Sequence, residues 1–162
     1  MAAAQEMLRL GLVGGTEGNA SAREGDVFHI TPSALPYPSM TVEDLVTLAL
    51  DGTVVEGTRA PSSELRVHAA VYAARPRARA LVHTHSPAAT RWSATGAPLG
   101  DVLTAPFAPS GSEEIAVLAV EALGSRDAVL LGGHGVLALG DTPAAALAVC
   151  AEVERAALQG RQ

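Results

Sequence analysis

His83-Thr84-His85 closes a short apolar run, Ala80-Leu81-Val82. Residues two apart on a strand point to the same face, so both imidazoles can converge on one ion. Neutral imidazole nitrogens are ligands for zinc and similar divalent metals. The alternative is a pair of histidines simply exposed at a strand end. His134 adds to the metal reading, because it sits between Gly133 and Gly135 at a tight bend separating two apolar runs. Its plain alternative is a turn histidine bonded to backbone. Three histidines with an open fourth position is the pattern of a catalytic zinc site rather than a structural one. Mn²⁺, Co²⁺ or Ni²⁺ would suit the same donors.

Ser62-Ser63-Glu64 is predicted to open a helix, with Ser62 or Ser63 as its cap. Free amides, the positive end of the helix dipole and two hydroxyls make an anion site there. The same residues also read as an ordinary N-cap with a favourable first-turn acid. Gly18-Asn19-Ala20-Ser21 and Thr31-Pro32-Ser33-Ala34 are rich in amides and hydroxyls, and each alone is a turn. Neither has the Gly and Lys spacing of a Walker loop or a dinucleotide fingerprint. His68 lies one helical turn beyond Glu64 and could pair with it. His29 reads as structural, Cys150 as an inert core thiol and Trp92 as a core or interface anchor.

These residues need elements to hold them. Helices are predicted over 1–12, from 62 or 63 to about 74, over 88–95, from a Ser112 cap to 123, and after a Thr142 cap with Pro143 at its first position. Strands are predicted over 27–30, 46–50, 54–55, 80–85, 102–103, 128–131 and 136–139, with Asp51-Gly52 as a hairpin turn. Thr41 caps a brief turn with Asp44 three residues on. Residues 16–22 read as a small, polar lead-in. Helices alternating with short, hairpin-joined strands predict an α/β or α+β layered domain with a largely antiparallel or mixed sheet, continuous over 1–162.

Composition narrows the functions. The chain has 162 residues, 48% of them apolar and only 3% aromatic, so Ala, Val and Leu must build the core. A formal net charge of −6 argues against nucleic acid as a partner. No apolar run reaches transmembrane length, and the first residues lack the pattern of a signal peptide. The single cysteine, Cys150, fits a reducing cytoplasm. All 11 basic residues are arginine, so a Schiff-base lysine mechanism is excluded.

Taken in order, Gly18-Asn19-Ala20-Ser21, Ile30-Thr31-Pro32-Ser33, Pro61-Ser62-Ser63-Glu64, Val82-His83-Thr84-His85 and His134-Gly135 resemble the class II aldolase/adducin family, most nearly its fuculose-1-phosphate aldolase branch. The resemblance implies a three-layer α/β/α fold around a mostly antiparallel sheet. It also implies a homotetramer with sites between neighbouring subunits. By the same resemblance His83, His85, His134 and Glu64 hold a divalent metal, and Glu64 moves the proton. Gly18, Asn19, Ser33, Ala34, Ser62 and Ser63 hold a substrate phosphate. The implied reaction is retro-aldol cleavage of a small ketose 1-phosphate to dihydroxyacetone phosphate and an aldehyde. A metal would stabilise the charge that builds on the carbonyl oxygen. Sugar-phosphate epimerases, dehydratases and non-catalytic adducin-like assembly modules share the family. The chain departs from the pattern at 94–107, where a longer segment usually carries a tyrosine acid, at Ala34, where glycine is usual, and in the family's C-terminal tail, which has no counterpart here.

Overall fold

The structure is a computed structural model and describes residues 1–160. Eight strands form one sheet: β1 (Asn19–Glu24), β2 (Val27–Ile30), β3 (Val46–Ala49), β4 (Val54–Glu56), β5 (Ala80–Thr84), β6 (Thr104–Ala105), β7 (Ala128–Leu131) and β8 (Gly135–Gly140). Their order is β4-β3-β2-β1-β5-β8-β7-β6, and every pairing is antiparallel except β6 with β7. Five α-helices cover it: α1 (Ala2–Arg9), α2 (Leu65–Ala74), α3 (Pro87–Ser93), α4 (Glu113–Leu123) and α5 (Pro143–Gln159).

Period-two alternation divides the sheet's side chains between two cores. Ala20, Val82, Leu130, Val136 and Ala138 pack with α1, α3 and α5. Phe28, Val46, Leu81, Val129 and Leu137 pack with α2 and α4 on the opposite face. The result is the three-layer α/β/α arrangement that the resemblance implies. Most buried side chains are Ala, Val and Leu, small enough for helices to lie close on the sheet. His83 shares its parity with Leu81 and therefore faces the α2 side.

Several predicted elements stand where expected. Thr41 and Asp44 form a capping box. Ser112 Oγ accepts from Ile115 N at 3.2 Å, and Thr142 Oγ1 accepts from Ala145 N at 3.1 Å. Others differ. The polar lead-in is in fact β1, between β2 and β5 near the centre of the sheet. Its side chains are small and polar because Asn19 and Ser21 face a buried polar cluster instead of hydrocarbon, which removes the apolar alternation that marks a strand. The strand expected at 102–103 lies at Thr104–Ala105. The first helix ends at Arg9. Neither Ser62 nor Ser63 caps α2: Glu64 occupies the N-cap position, and its side chain does not cap the helix. Ser62 is buried just ahead of the helix, its N–H donating to Thr31 O at 3.1 Å beside a Pro32–Pro61 bridge.

Candidate metal centre

β5 is flanked by β1 and β8, and the site lies at the end of these three strands. Register places Asn19 opposite His83 on one side and Leu137 opposite His83 on the other. His85 lies one residue past the end of β5. His134 arrives on the turn from β7 to β8, where His134 N donates to Leu131 O at 2.9 Å. That turn runs so close to the β6 end that a Cβ on Gly132 would sit 2.7 Å from Ala105 O and 2.8 Å from Phe107 N. Only glycine allows the approach. Glu64 enters from the start of α2.

One ligand atom from each of Glu64, His83, His85 and His134 falls within a sphere in which no pair is more than 4.8 Å apart. Glu64 Oε2 is 3.1 Å from His83 Nε2, and Glu64 Oε1 is 2.9 Å from His134 Nε2. His85 Nε2 is 2.9 Å from His83 Nε2. Glu64 and His83 are buried.

The donor chemistry fits a divalent metal. His83 Nδ1 is 2.8 Å from Val136 O, and a carbonyl only accepts, so Nδ1 carries the hydrogen and the Nε2 lone pair points into the cluster. Beside it, His134 Nε2 is buried and has no hydrogen-bond partner, despite its short distance to Glu64: the two are not aligned for a bond. Such an orphaned buried nitrogen is costly unless something else satisfies it. Burial lowers the His83 pKa, overriding the nearby carboxylate, and lowers that of His85 to about 4, so both rings are neutral and able to ligate. For Glu64 burial works toward protonation. Hydrogen bonding, from Asn19 Nδ2 among others, outweighs it and holds the carboxyl below the usual range, ionised at neutral pH.

Two partners of Glu64 were not legible in the sequence. Ser110 Oγ donates to Glu64 Oε1 at 3.0 Å, reaching it from a loop 46 residues away. Asn19 Nδ2 donates to Glu64 Oε2 at 2.8 Å. The sequence marks Asn19 as part of an amide-rich turn, and its side chain also supports Glu64. His68 does not pair with Glu64; it contacts Asn19 and Ser21.

The three hydroxyl- and amide-rich turns lie side by side. Ser33 N donates to Ala60 O at 3.0 Å, Ser62 N donates to Thr31 O, and Thr31 N donates to Ala20 O at 3.0 Å. Of these turns Ser62 reaches Glu64, its Oγ accepting from Glu64 N at 3.3 Å. Ala34 has φ +56°, the left-handed conformation that glycine adopts readily, and is the one non-glycine there among the described residues. Neither tyrosine lies in 94–107. Tyr37 OH donates to Glu17 O and Gly18 O, and Tyr72 OH meets Ser21. Phe107, 73% exposed, stands beside Gly133 instead. His29 bonds Thr47 Oγ1 at 3.0 Å, away from the centre. Cys150 is buried, which pushes its thiol up to about 12. Trp92 Nε1 donates to Pro98 O at 3.3 Å.

Residues 1–159 match the family model described as the Class II Aldolase and Adducin N-terminal domain. The chain is 39% identical over 163 residues to a 5-deoxy-D-ribulose 1-phosphate aldolase of Bacillus thuringiensis, covering 93% of this chain and 76% of the relative. An L-ribulose-5-phosphate 4-epimerase of Salmonella paratyphi B is 44% identical over 93 residues, 56% of this chain and 41% of the epimerase. In three dimensions the chain superposes on an L-fuculose 1-phosphate aldolase with TM-score 0.91 and 32% identity, over 96% of this chain and 79% of that one.

Proposed function

The chain belongs to the class II aldolase and adducin family, and from that premise we propose that it is a divalent-metal-dependent aldehyde-lyase cleaving a small ketose 1-phosphate to dihydroxyacetone phosphate and an aldehyde. The observation that carries this reading is the convergence of Glu64, His83, His85 and His134, with the His83 lone pair locked inward.

In this reading the four side chains hold Zn²⁺, or Mn²⁺, Co²⁺ or Ni²⁺. Bound there, the ion supplies a Lewis acid for negative charge developing on the substrate carbonyl oxygen. The protein's own groups do the rest. Breaking the C3–C4 bond requires a proton to leave the C4 hydroxyl and a proton to reach C3. Glu64, ionised and fixed by Asn19 and Ser110, is assigned the exchange at C3. Gly18, Asn19, Ser33, Ala34, Ser62 and Ser63 hold the phosphate, through backbone amides and hydroxyls. That suits a chain of net charge −6, in which an anion must be caught locally. A homotetramer, with a neighbour completing each site, belongs to the same reading and is tested by light scattering.

The 93-residue match to an epimerase supports a second reading, epimerisation of a pentulose phosphate. The two separate on one experiment. Metal-reconstituted protein is offered ketose 1-phosphates, 5-deoxyribulose 1-phosphate and L-fuculose 1-phosphate among them, together with L-ribulose 5-phosphate. Release of dihydroxyacetone phosphate is expected, and Glu64→Gln should abolish it while metal is retained. Full activity in Glu64→Gln would remove the proton role. Epimerisation without any cleavage would select the second reading.

A further inference from the structure

Behind Glu64 and Asn19 lie three polar side chains, His68, Ser21 and Tyr72, that the proposed chemistry leaves without a role. Asn19 Oδ1 is 2.5 Å from His68 Nε2, His68 Nδ1 is 2.7 Å from Ser21 Oγ, and Ser21 Oγ is 2.8 Å from Tyr72 OH. None of Asn19, Ser21, His68 and Tyr72 is more than 2% exposed. They belong to two elements, Asn19 and Ser21 to β1 and His68 and Tyr72 to α2, and lie on the sheet face where apolar residues would otherwise pack. Buried polar groups are tolerated only when each is bonded, so such a chain persists only if all its hydrogens find acceptors.

That requirement sets its direction. An ionised carboxylate only accepts, so Asn19 turns its NH₂ to Glu64 and its carbonyl to His68. His68 must then carry its hydrogen on Nε2. A neutral ring leaves the Nδ1 lone pair for the Ser21 hydroxyl, whose oxygen accepts in turn from Tyr72 OH. A protonated ring would also donate to Ser21 and leave the hydrogen of either Ser21 or Tyr72 with no acceptor among the described residues. Every bond therefore runs one way, from Tyr72 toward Glu64.

We propose that His68 is a positioning residue for Glu64: its Nε2–H locks the Asn19 carboxamide with the NH₂ toward the carboxylate, and so holds Glu64 in one orientation beside the three histidines. The relay holds and does not conduct. A carboxamide passes a proton on only by becoming an imidic acid, so Asn19 insulates Glu64 from the interior. The proton that Glu64 exchanges must come from its open, substrate-facing side. This inference rests on the reading of Glu64 as the proton-handling ligand.

Nitrogen-15 NMR of the metal-free protein tests it without any turnover. The expected result is a His68 ring protonated at Nε2 only, with the Asn19 side-chain NH₂ protected from solvent exchange. A ring protonated at Nδ1 would overturn the proposal whatever the variants do. Two variants then separate positioning from packing. His68→Gln places an N–H where Nε2 was, and His68→Asn reaches only as far as Nδ1. In His68→Asn the Asn19 protection should vanish and Zn²⁺ affinity, read by titration, should fall about 10- to 100-fold, the usual effect of losing a group behind a ligand. His68→Gln should recover most of both. Equal loss in the two variants, at equal stability, would mean that His68 only fills space. If these results hold while no ketose phosphate is cleaved, the lyase reading fails and the positioning stands.

Discussion

Gly18 and Gly96 share a φ of +72° but not their surroundings, and the pair isolates how tightly the β1–β5 junction is built. A Cβ on Gly96 meets nothing within 4 Å. A Cβ on Gly18 would lie 2.6 Å from His83 O and 2.7 Å from Val13 Cγ1. Both alanine variants carry the same left-handed strain, about 1–2 kcal/mol, partly offset by about 0.4–1 kcal/mol from a less flexible unfolded chain. Only Gly18→Ala adds a collision with the backbone of a strand, a further 1–3 kcal/mol or so on the scale of overpacked cores. Relief requires β5 to move away at His83, the residue that carries a ligand nitrogen. Urea denaturation of the metal-free variants should therefore place Gly18→Ala about 1–3 kcal/mol below Gly96→Ala. Zn²⁺ titration should show roughly tenfold weaker binding for Gly18→Ala alone. Coincident urea curves and equal affinities would refute the claim that this contact registers the site.

Further expectations address the ligands and their supports. His134→Ala should lose metal after dialysis, measured by elemental analysis, with little change in metal-free stability, because the Nε2 it removes is already unpartnered; one tightly held equivalent would contradict its role as a ligand. Tyr37→Phe leaves Glu17 O and Gly18 O without their donor and should lower stability by about 1–2 kcal/mol, read from the urea midpoint; an unchanged midpoint would show that the hydroxyl does not anchor this loop. Burial holds His68 down to about 3, and burial together with His83 and His134 holds His85 down to about 4, against 6.5 for an ordinary histidine. Between those values the unfolded chain binds protons that the folded chain refuses. Metal-free stability should thus be fully present above pH 6.5 and fall steadily as the pH drops toward 4. A flat profile from pH 7 to 5 would refute neutral burial of these rings.

The parts of the site legible in the sequence were those governed by local periodicity or turn chemistry. His83 and His85 two apart on an apolar strand, and His134 between glycines, declare a shared face and a tight bend without any tertiary information. Glu64 and the serines rested on the order of five short motifs. What escaped was long-range or lacked hydrophobic contrast. β1 carries Asn19 and Ser21 toward buried polar partners, so it shows no alternation despite sitting near the sheet centre. Ser110 reads as a loop residue ahead of a helix cap, and only folding brings it to Glu64. His68 is visible as a neighbour of Glu64 one turn along α2, and only folding turns it to Asn19 and Ser21; the bond from the Asn19 side chain to Glu64 likewise leaves no local mark.

The sheet also ends in a telling way. Its two outer strands, Val54–Glu56 and Thr104–Ala105, span three and two residues. An outer strand exposes unpaired N–H and C=O groups that can template another chain, and its reach grows with its length. These are too short to offer more than a couple of bonds. Copies of the protein gain almost nothing by joining sheet to sheet, so any association among them must be written in side chains, and the fold is guarded against runaway fibre growth at both margins.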